Sequence, residues 1–408
     1  MQQLVRESLN EAYPPARRFA ATVCIPARNE ADRIGRCLAA LAVQRDRNGA
    51  PVVPGSFGVL LLVNNSTDAT ALAARSMALL VPYPLEVLEI TLESGATAGG
   101  ARRRAMEEAA ARLRVGERNG VLLTTDADSV VSPSWYAENM RHLEEGVDCV
   151  AGYIDAEAPE IVSLGVAFLE RGRLEDTYLR LVAEIYALCD PRPHDPWPNH
   201  RVSSGASIAV TVAAYDAVGG MPDRALGEDG AFTATLEEKG FRVRHPLDVS
   251  VLTSCRLNGR AAGGAADTMR HRRDVPNAPC DEELEPALAT LRRAIMRGLL
   301  RRANGERKLG QAMKRLCGEG WKPNCGASTF TDVWKELEAR HPKLQRGPPL
   351  RPSDLPRQIA TAELILRHLR EEPQTSVVRD DRCHHAKSSV LVDTQRALVQ
   401  TSRTPGAP

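Results

Sequence analysis

The sequence predicts an α/β fold on a mostly parallel sheet, followed by a helical extension. Short apolar runs alternate with helix-spaced segments from Phe19 to about Gly152, the pattern of βαβ units. Polar segments follow three of those runs, at residues 26–30, 64–70 and 124–129. In an open parallel sheet such segments gather at the carboxyl edge of the strands, where ligands bind. Beyond Pro276 the strand pattern stops and leucines recur at helical spacing among arginines.

Five runs supply the first strands: ATVCIP, GVLLLV, LEVLEIT, GVLLTT and VDCVAG. Between the first two, Ile34, Leu38 and Leu41 mark a helix, and the next is expected to begin at STDAT with Asp68 as its N-cap. ARRRAMEEAAARL forms the third. Residues 161–188 read as one long helix, stopped by the prolines of DPRPHDPWPNH. A strand (SIAV), a helix holding GEDGAFTATLEEKG and strands at FRVRH and DVSVLT follow. RLNGRAAGGAADTMRHRR is rich in glycine and small residues and reads as a mobile loop. Leu284, Leu288, Leu291 and Ile295 then stripe a helix loaded with Arg292, Arg293, Arg297, Arg301 and Arg302. HPKLQRGPPLRPSDLP reads as a linker, TAELILRHLR as a short helix, and the residues after Glu372 as disordered. The expected organisation is a lead-in (1–18), a main domain (19–275) with halves 19–152 and 153–275, a basic helical extension (276–340) and a linker, helix and tail (341–408).

In 408 residues, 53 basic side chains face 52 acidic ones, and 43% of residues are hydrophobic. That balance excludes fibrous and multi-span membrane classes and speaks against nucleic acid as a partner. Nine cysteines stand at irregular spacings without a CxxC pair, so neither a disulfide framework nor a zinc ribbon is expected. The first residues lack the apolar core of a signal peptide. A reduced, cytoplasmic protein is the expectation.

Asp126 and Asp128 carry the strongest chemical signal. Residues two apart on an extended chain point the same way, so both carboxylates face one crevice at the end of a strand. Hard oxygen ligands so placed suit Mn²⁺ or Mg²⁺, which commonly keep substrate phosphates as further ligands. The alternative for so short a motif is a pair of solvated loop aspartates. Far downstream, Glu228 and Asp229 form a second acidic pair able to hold a base, or simply two acids favoured by a helix N-terminus.

The order PARNE, NNSTDAT, GGARRR, DADS, SSGASIAV, GEDGAF resembles the nucleotide-sugar-dependent glycosyltransferases of family 2, over roughly Ala21 to Arg273. The resemblance implies a GT-A fold: a Rossmann-like, mostly parallel central sheet with helices on both faces, here with a C-terminal helical extension. It implies transfer of one sugar from a nucleoside-diphosphate donor to a hydroxyl acceptor that the sequence does not identify. By the same resemblance Pro26, Ala27, Arg28, Asn29 and Glu30 surround the base and ribose, and Asn65 belongs to the nucleotide-sugar site. Gly100 and Arg102 lie near the nucleotide, Asp126 and Ala127 at the ribose, and Asp128 at the metal. Gly205 belongs to the acceptor-side strand. Arg256, with Arg260, Gly263 and Gly264, would close over the phosphates. Asp229 matches the general base of inverting members, with Glu228 orienting it, and His271 matches an additional metal ligand, with His245 as a rival.

Departures limit what carries over. Val63 and Asn64 stand where relatives often carry acidic residues that read the base, so a uracil donor is not implied. No QxxRW motif is present, against a processive synthase. Two alternatives stay open: a retaining enzyme for a small anionic acceptor, and a degenerate scaffold that only binds nucleotide sugars. A nucleotidyltransferase would need a Gly-rich basic segment where PARNEADR stands. The basic helix around Arg292–Arg302 packs by its leucines or, on a second reading, makes weak peripheral contact with anionic lipid. Cys383, His384 and His385 read as an incidental cluster.

Overall fold

A computed structural model describes residues 21–93, 96–114, 120–259, 263–305, 308–317 and 330–371. The expectations for residues 1–20, for Arg260, for the tail after Glu372 and for Cys383–His385 lie outside the described residues. The chain forms two compact units, one from Met1–Gly165 with Asn199–His271, the other from Val166–Pro198 with Arg272–Pro408.

The first unit runs β1 (Ala21–Ala27), α1 (Ile34–Ala42), β2 (Phe57–Asn64), α2 (Thr70–Met77), β3 (Leu85–Ile90), α3 (Ala98–Arg114), β4 (Val121–Thr124), β5 (Val130–Val131), α4 (Trp135–Glu144), β6 (Cys149–Ala151), β7 (Tyr153–Ala156) and α5 (Ala158–Ser163). After α6 (Val166–Cys189), which belongs to the second unit, it resumes with β8 (Ile208–Thr211), α7 (Val212–Ala217), α8 (Glu228–Glu238), β9 (Val243–Arg244), β10 (Ser250–Thr253) and α9 (Ala265–Asp274). Its main sheet has the order β3-β2-β1-β4-β8-β6-β9, and β5-β10-β7 form a second sheet. The run β3-β2-β1-β4 is parallel throughout, β8 is antiparallel to both its neighbours, and β6 and β9 are parallel. This is the mixed α/β architecture with a mostly parallel central sheet that the sequence implies.

Helices on both faces explain the unbroken apolar runs, since a parallel sheet covered twice has no solvent side. Val23 and Ile25 of β1 with Val59 and Leu61 of β2 face one core, shared with Leu38 of α1 and Trp135 of α4. Cys24, Leu60 and Leu62, one residue out of phase, face the other, with Ala105 and Ala109 of α3 and Phe232 of α8. The carboxyl ends of β1, β2 and β4 therefore open onto one edge.

Several local expectations are corrected. Residues 161–188 hold two helices, because Gly165 adopts φ +96 and ends α5 before α6 begins. Asp68 lies one residue before the N-cap Ala69 of α2, and it accepts from the Thr70 and Ala31 amides. The second half of the expected mobile loop is the helix α9, whose Asp267 accepts from the Gly263 amide at 2.6 Å.

The second unit continues with α10 (Ala287–Gly305), α11 (Leu309–Cys317), α12 (Phe330–Arg340) and α13 (Leu355–Glu371). The expected linker contains two 3₁₀ turns and the start of α13, whose second residue, Pro356, suits a helix N-terminus. Leu284 precedes α10 rather than opening it, yet packs with Leu291 and Ile295 in one core. The arginines of α10 are largely committed within this unit. Arg293 is buried against Glu285 (2.7 Å) and Glu338 (2.8 Å), and Arg301 grips Asp190 at 2.6 Å. Arg297 also pairs with Asp190 and lies over Trp334, while Arg301 lies over Phe330. No helix among the described residues is long and apolar enough to cross a membrane.

Gly298 shows how closely α10 meets the end of α6. A Cβ there would stand 2.0 Å from the Cys189 carbonyl oxygen, and backbone cannot swing aside as a side chain can. Gly298→Ala is expected to destabilise this unit by roughly 1–3 kcal/mol through overpacking. Chemical denaturation followed by fluorescence of Trp334, with the other three tryptophans replaced by phenylalanine in both proteins, measures it, and an unchanged midpoint would refute the close approach.

Candidate active site

The first strand ends in a loop fastened by side chains from the second. Asn29, at φ 55, donates its amide to Ser66 Oγ (2.9 Å) and accepts from the Thr67 amide through Oδ1 (2.8 Å). The Glu30 amide donates to Thr70 Oγ1 at 2.8 Å. NNSTDAT thus builds a support for PARNE. Asn65 is part of that support: its side chain donates to the Leu92 carbonyl and accepts from the Leu92 amide, prolonging the β2–β3 pairing.

Above this support lies a cleft of about 210 Å³, lined by Pro26, Ala27, Arg28, Glu30, Asn64, Arg102, Asp126, Ala127, Asp128 and Arg256 among others. Glu30 and Asp128 meet the Arg256 guanidinium. Its Nη1 donates to Glu30 Oε2 at 2.5 Å, its Nη2 pairs with Glu30 Oε1, and its Nη2 stands 2.9 Å from Asp128 Oδ2. Burial, then the charge of Asp126, pushes the Asp128 carboxyl up to about 7 despite Arg256. The Arg256 guanidinium thus lies between Glu30 and Asp128, with Asp126 close enough to act on Asp128. The cleft is smaller than the roughly 300–1,000 Å³ usual for ligand pockets, in keeping with Arg256 folded into it.

Arg256 is itself held in place by residues that no sequence motif marks. Glu160 accepts from Ser254 Oγ (2.8 Å) and from the Cys255 amide (2.7 Å), and pairs with Arg33 at 2.7 Å. Gly264, expected beside Arg256, lines the cleft, and so do Thr253, Ser254, Ala265, Ala266 and Met269, which no motif marks. Their residue types are ordinary, and only the folded chain brings them there.

Asp229 sits in the first turn of α8 behind Gly227, which adopts φ +68. Its Oδ2 accepts from the Gly205 amide (2.9 Å) and its Oδ1 from the Gly230 amide (2.8 Å). Glu228 is buried and points elsewhere, to Arg102 Nε at 3.2 Å. Arg102 also donates to Asp126 Oδ1 (2.8 Å), Thr124 Oγ1 (3.0 Å) and the Gly205 carbonyl (2.6 Å). Motifs a hundred residues apart therefore meet at one buried side chain.

Other expected residues stand apart from the cleft. The Gly100 amide donates to Thr97 Oγ1 at the start of α3. His271 is exposed on α9; Met269 lines the cleft, and two residues further along a helix the direction turns by about 200°. His245 is buried beside Ser203, 3.4 Å from its Oγ.

A second cluster joins Glu138, His142 and Asp248. Arg141 already links it, pairing with Glu138 (2.5 Å), Glu145 (2.9 Å) and Asp248 (2.6 Å), so it is an ion-pair network. Burial works against ionisation of Asp248, but the His142 hydrogen bond and the charges of His142 and Arg141 outweigh it and hold the carboxyl below its usual range. A carboxyl so depressed adds stability above its unfolded value of about 3.9, and this is lost as pH falls through the folded value. Asp248→Asn is expected to cost up to about 1 kcal/mol at neutral pH and progressively less at an acid pH that protonates the folded carboxyl. Urea midpoints at the two pH values check this; an equal difference at both would contradict it.

Residues 22–178 match the family model described as Glycosyl transferase family 2. No curated protein matches the chain. Among solved structures, a mannosyltransferase from Pyrobaculum calidifontis, in complex with GDP-Man and Mn²⁺, is 16% identical with a TM-score of 0.45, covering 89% of this chain and 93% of its own. S. aureus TarS residues 1–349 in complex with UDP-GlcNAc is 15% identical with a TM-score of 0.41, covering 93% and 92%.

Proposed function

We propose, from the match of residues 22–178 to the model of glycosyl transferase family 2, a metal-dependent transferase that moves one sugar from a nucleoside-diphosphate donor to a hydroxyl acceptor. The observation that carries the reading is the convergence of the DAD loop, the SSGAS loop and the GED helix on Arg102, beside a cleft where Glu30, Asp126 and Asp128 gather. Asp128, with Asp126 beside it, would hold Mn²⁺ or Mg²⁺. When bound, such an ion stabilises charge developing on the departing diphosphate. Pro26, Ala27, Arg28 and Glu30 form the wall for base and ribose, and Arg256 can exchange its carboxylates for phosphate oxygens, an anion its planar fork fits well.

Asp229 takes the proton of the acceptor hydroxyl. Two backbone amides aim its carboxylate and leave lone pairs on both oxygens for that proton. Attack by that hydroxyl in a single displacement, from the face opposite the departing diphosphate, inverts the anomeric centre. Asn65 and Gly100 serve this site as loop supports in our reading, and His271 takes no part. The paired arginines of α10 leave little free charge for lipid, so the reading needs no membrane contact; the cytoplasm is the compartment proposed.

The test is a melting-temperature panel of nucleoside diphosphates and their sugars with and without Mn²⁺, since a ligand that binds only the native state stabilises it by mass action. A Mn²⁺-dependent rise with one base, absent in Asp128→Ala, is the expected result. No rise with any of them would sink the reading. NMR of the product anomer then separates inversion from retention.

A further inference from the structure

The sequence signal GGARRR offers three arginines, and only the first faces inward. Arg103 and Arg104 form exposed pairs with Glu107 and Glu108 one turn along. The Arg102 side chain is 5% exposed, and its three nitrogens all donate to protein acceptors: Nε to Glu228, Nη1 to Thr124 and the Gly205 carbonyl, Nη2 to Asp126. Two glycines make room for this. A Cβ on Gly205 would stand 2.2 Å from Arg102 Cζ, and one on Gly99 would stand 2.5 Å from the Arg224 carbonyl and 3.0 Å from the Glu228 carboxyl.

The Gly205 peptide is gripped from both sides. Its carbonyl accepts from Arg102, and its amide donates to Asp229. Residue 229 is therefore aimed through a peptide whose orientation Arg102 sets, and Arg102 fastens the neighbouring Glu228 directly. Turning the guanidinium toward a phosphate would strip Glu228 of its charge partner in a buried setting, which is strongly unfavourable.

We propose that Arg102 is a positioning residue that fixes the base Asp229 relative to the donor-side Asp126, and that it does not bind the donor phosphates. This rests on the reading of the site given above. A planar guanidinium satisfies four acceptors in fixed directions, whereas an ammonium is a point charge on a flexible stem. Arg102→Lys keeps the charge and loses the geometry. Because misplacement by about 1 Å can cost about 100-fold in rate, kcat should fall about 10- to 100-fold.

The experiment titrates GDP and UDP in Mn²⁺ against the full-length chain, measures kcat and donor KM with the donor the wild type accepts, and records melting curves. Arg102→Lys should lose kcat while diphosphate affinity stays within about threefold. Glu228→Gln, isosteric and still an acceptor for Nε, should show the same split to a smaller degree, and it stands in should Arg102→Lys fail to fold. Diphosphate affinity weakened tenfold or more with kcat preserved would make Arg102 a phosphate ligand and overturn the proposal. So would a fall in melting temperature alone, with kcat and affinity unchanged. A wild type that binds no nucleotide and transfers no sugar would instead remove the underlying reading of the site.

Discussion

Asp229→Asn should lower the rate of sugar transfer by about 100- to 10,000-fold, the range for loss of a general base, with Mn²⁺-dependent donor affinity nearly unchanged. The geometry separates the two effects. Asp229 is not among the residues lining the cleft around Asp128, and its carboxylate is held by the Gly205 and Gly230 amides. An asparagine cannot accept on both oxygens, so its NH₂ must face one of those N–H groups and the loop must adjust as well. Asp229→Ser, which lacks both the base and that clash, distinguishes the terms: it should be as slow as Asp229→Asn if the lost base dominates. Initial rates with saturating donor, set beside diphosphate titrations, provide the check. Transfer within tenfold of wild type in both variants would remove Asp229 from the chemistry.

The parts of the site that sequence reveals are those whose chemistry sits in a few consecutive residues at a strand end. PARNE, NNSTDAT and DADS each follow a run buried on both faces, so the parallel sheet delivers them to one edge whatever their neighbours are. What escapes is carried by residues far apart in the chain. Arg102 and Glu228 are 126 residues apart, and nothing local tells the inward arginine from the two outward ones beside it. Glu160 reaches Cys255 from a helix that the periodicity joins to α6, because a single glycine at φ +96 breaks a pattern that otherwise runs on. Residues 265–274 were poor in apolar spacing and rich in small residues, yet they form α9, whose small residues Ala265 and Ala266 lie close against the cleft. Asn65 has the residue type of a ligand contact, and its side chain also bridges to the Leu92 backbone, which no local pattern announces.

Arg256→Met should bind Mn²⁺ about 10- to 100-fold more tightly than wild type and melt at a lower temperature without metal. The guanidinium lies against Glu30 and Asp128 with side-chain exposures of 19%, 6% and 16%, so water screens these contacts little. At an effective dielectric of about 20, opposite charges about 4 Å apart attract by about 4 kcal/mol, and a divalent ion that takes Asp128 must displace part of that attraction. Removing Arg256 lifts the competition but takes the guanidinium partner from Glu30 and Asp128 in the metal-free fold, which is why the melting temperature should fall. The comparison belongs at about pH 8.5, well above the ordinary carboxylate range, because Asp128 is already pushed up to about 7 and losing a neighbouring cation pushes it further. Near neutral pH a proton would take the place of the guanidinium and hide part of the gain. Adding a nucleoside diphosphate should narrow the gap, since in wild type the phosphates accept the displaced guanidinium and the Met variant offers them nothing. Binding of Mn²⁺ followed by its electron paramagnetic resonance signal reports each case directly. Equal affinities in the two proteins, with and without diphosphate, would mean that Arg256 and the cation do not compete for these carboxylates.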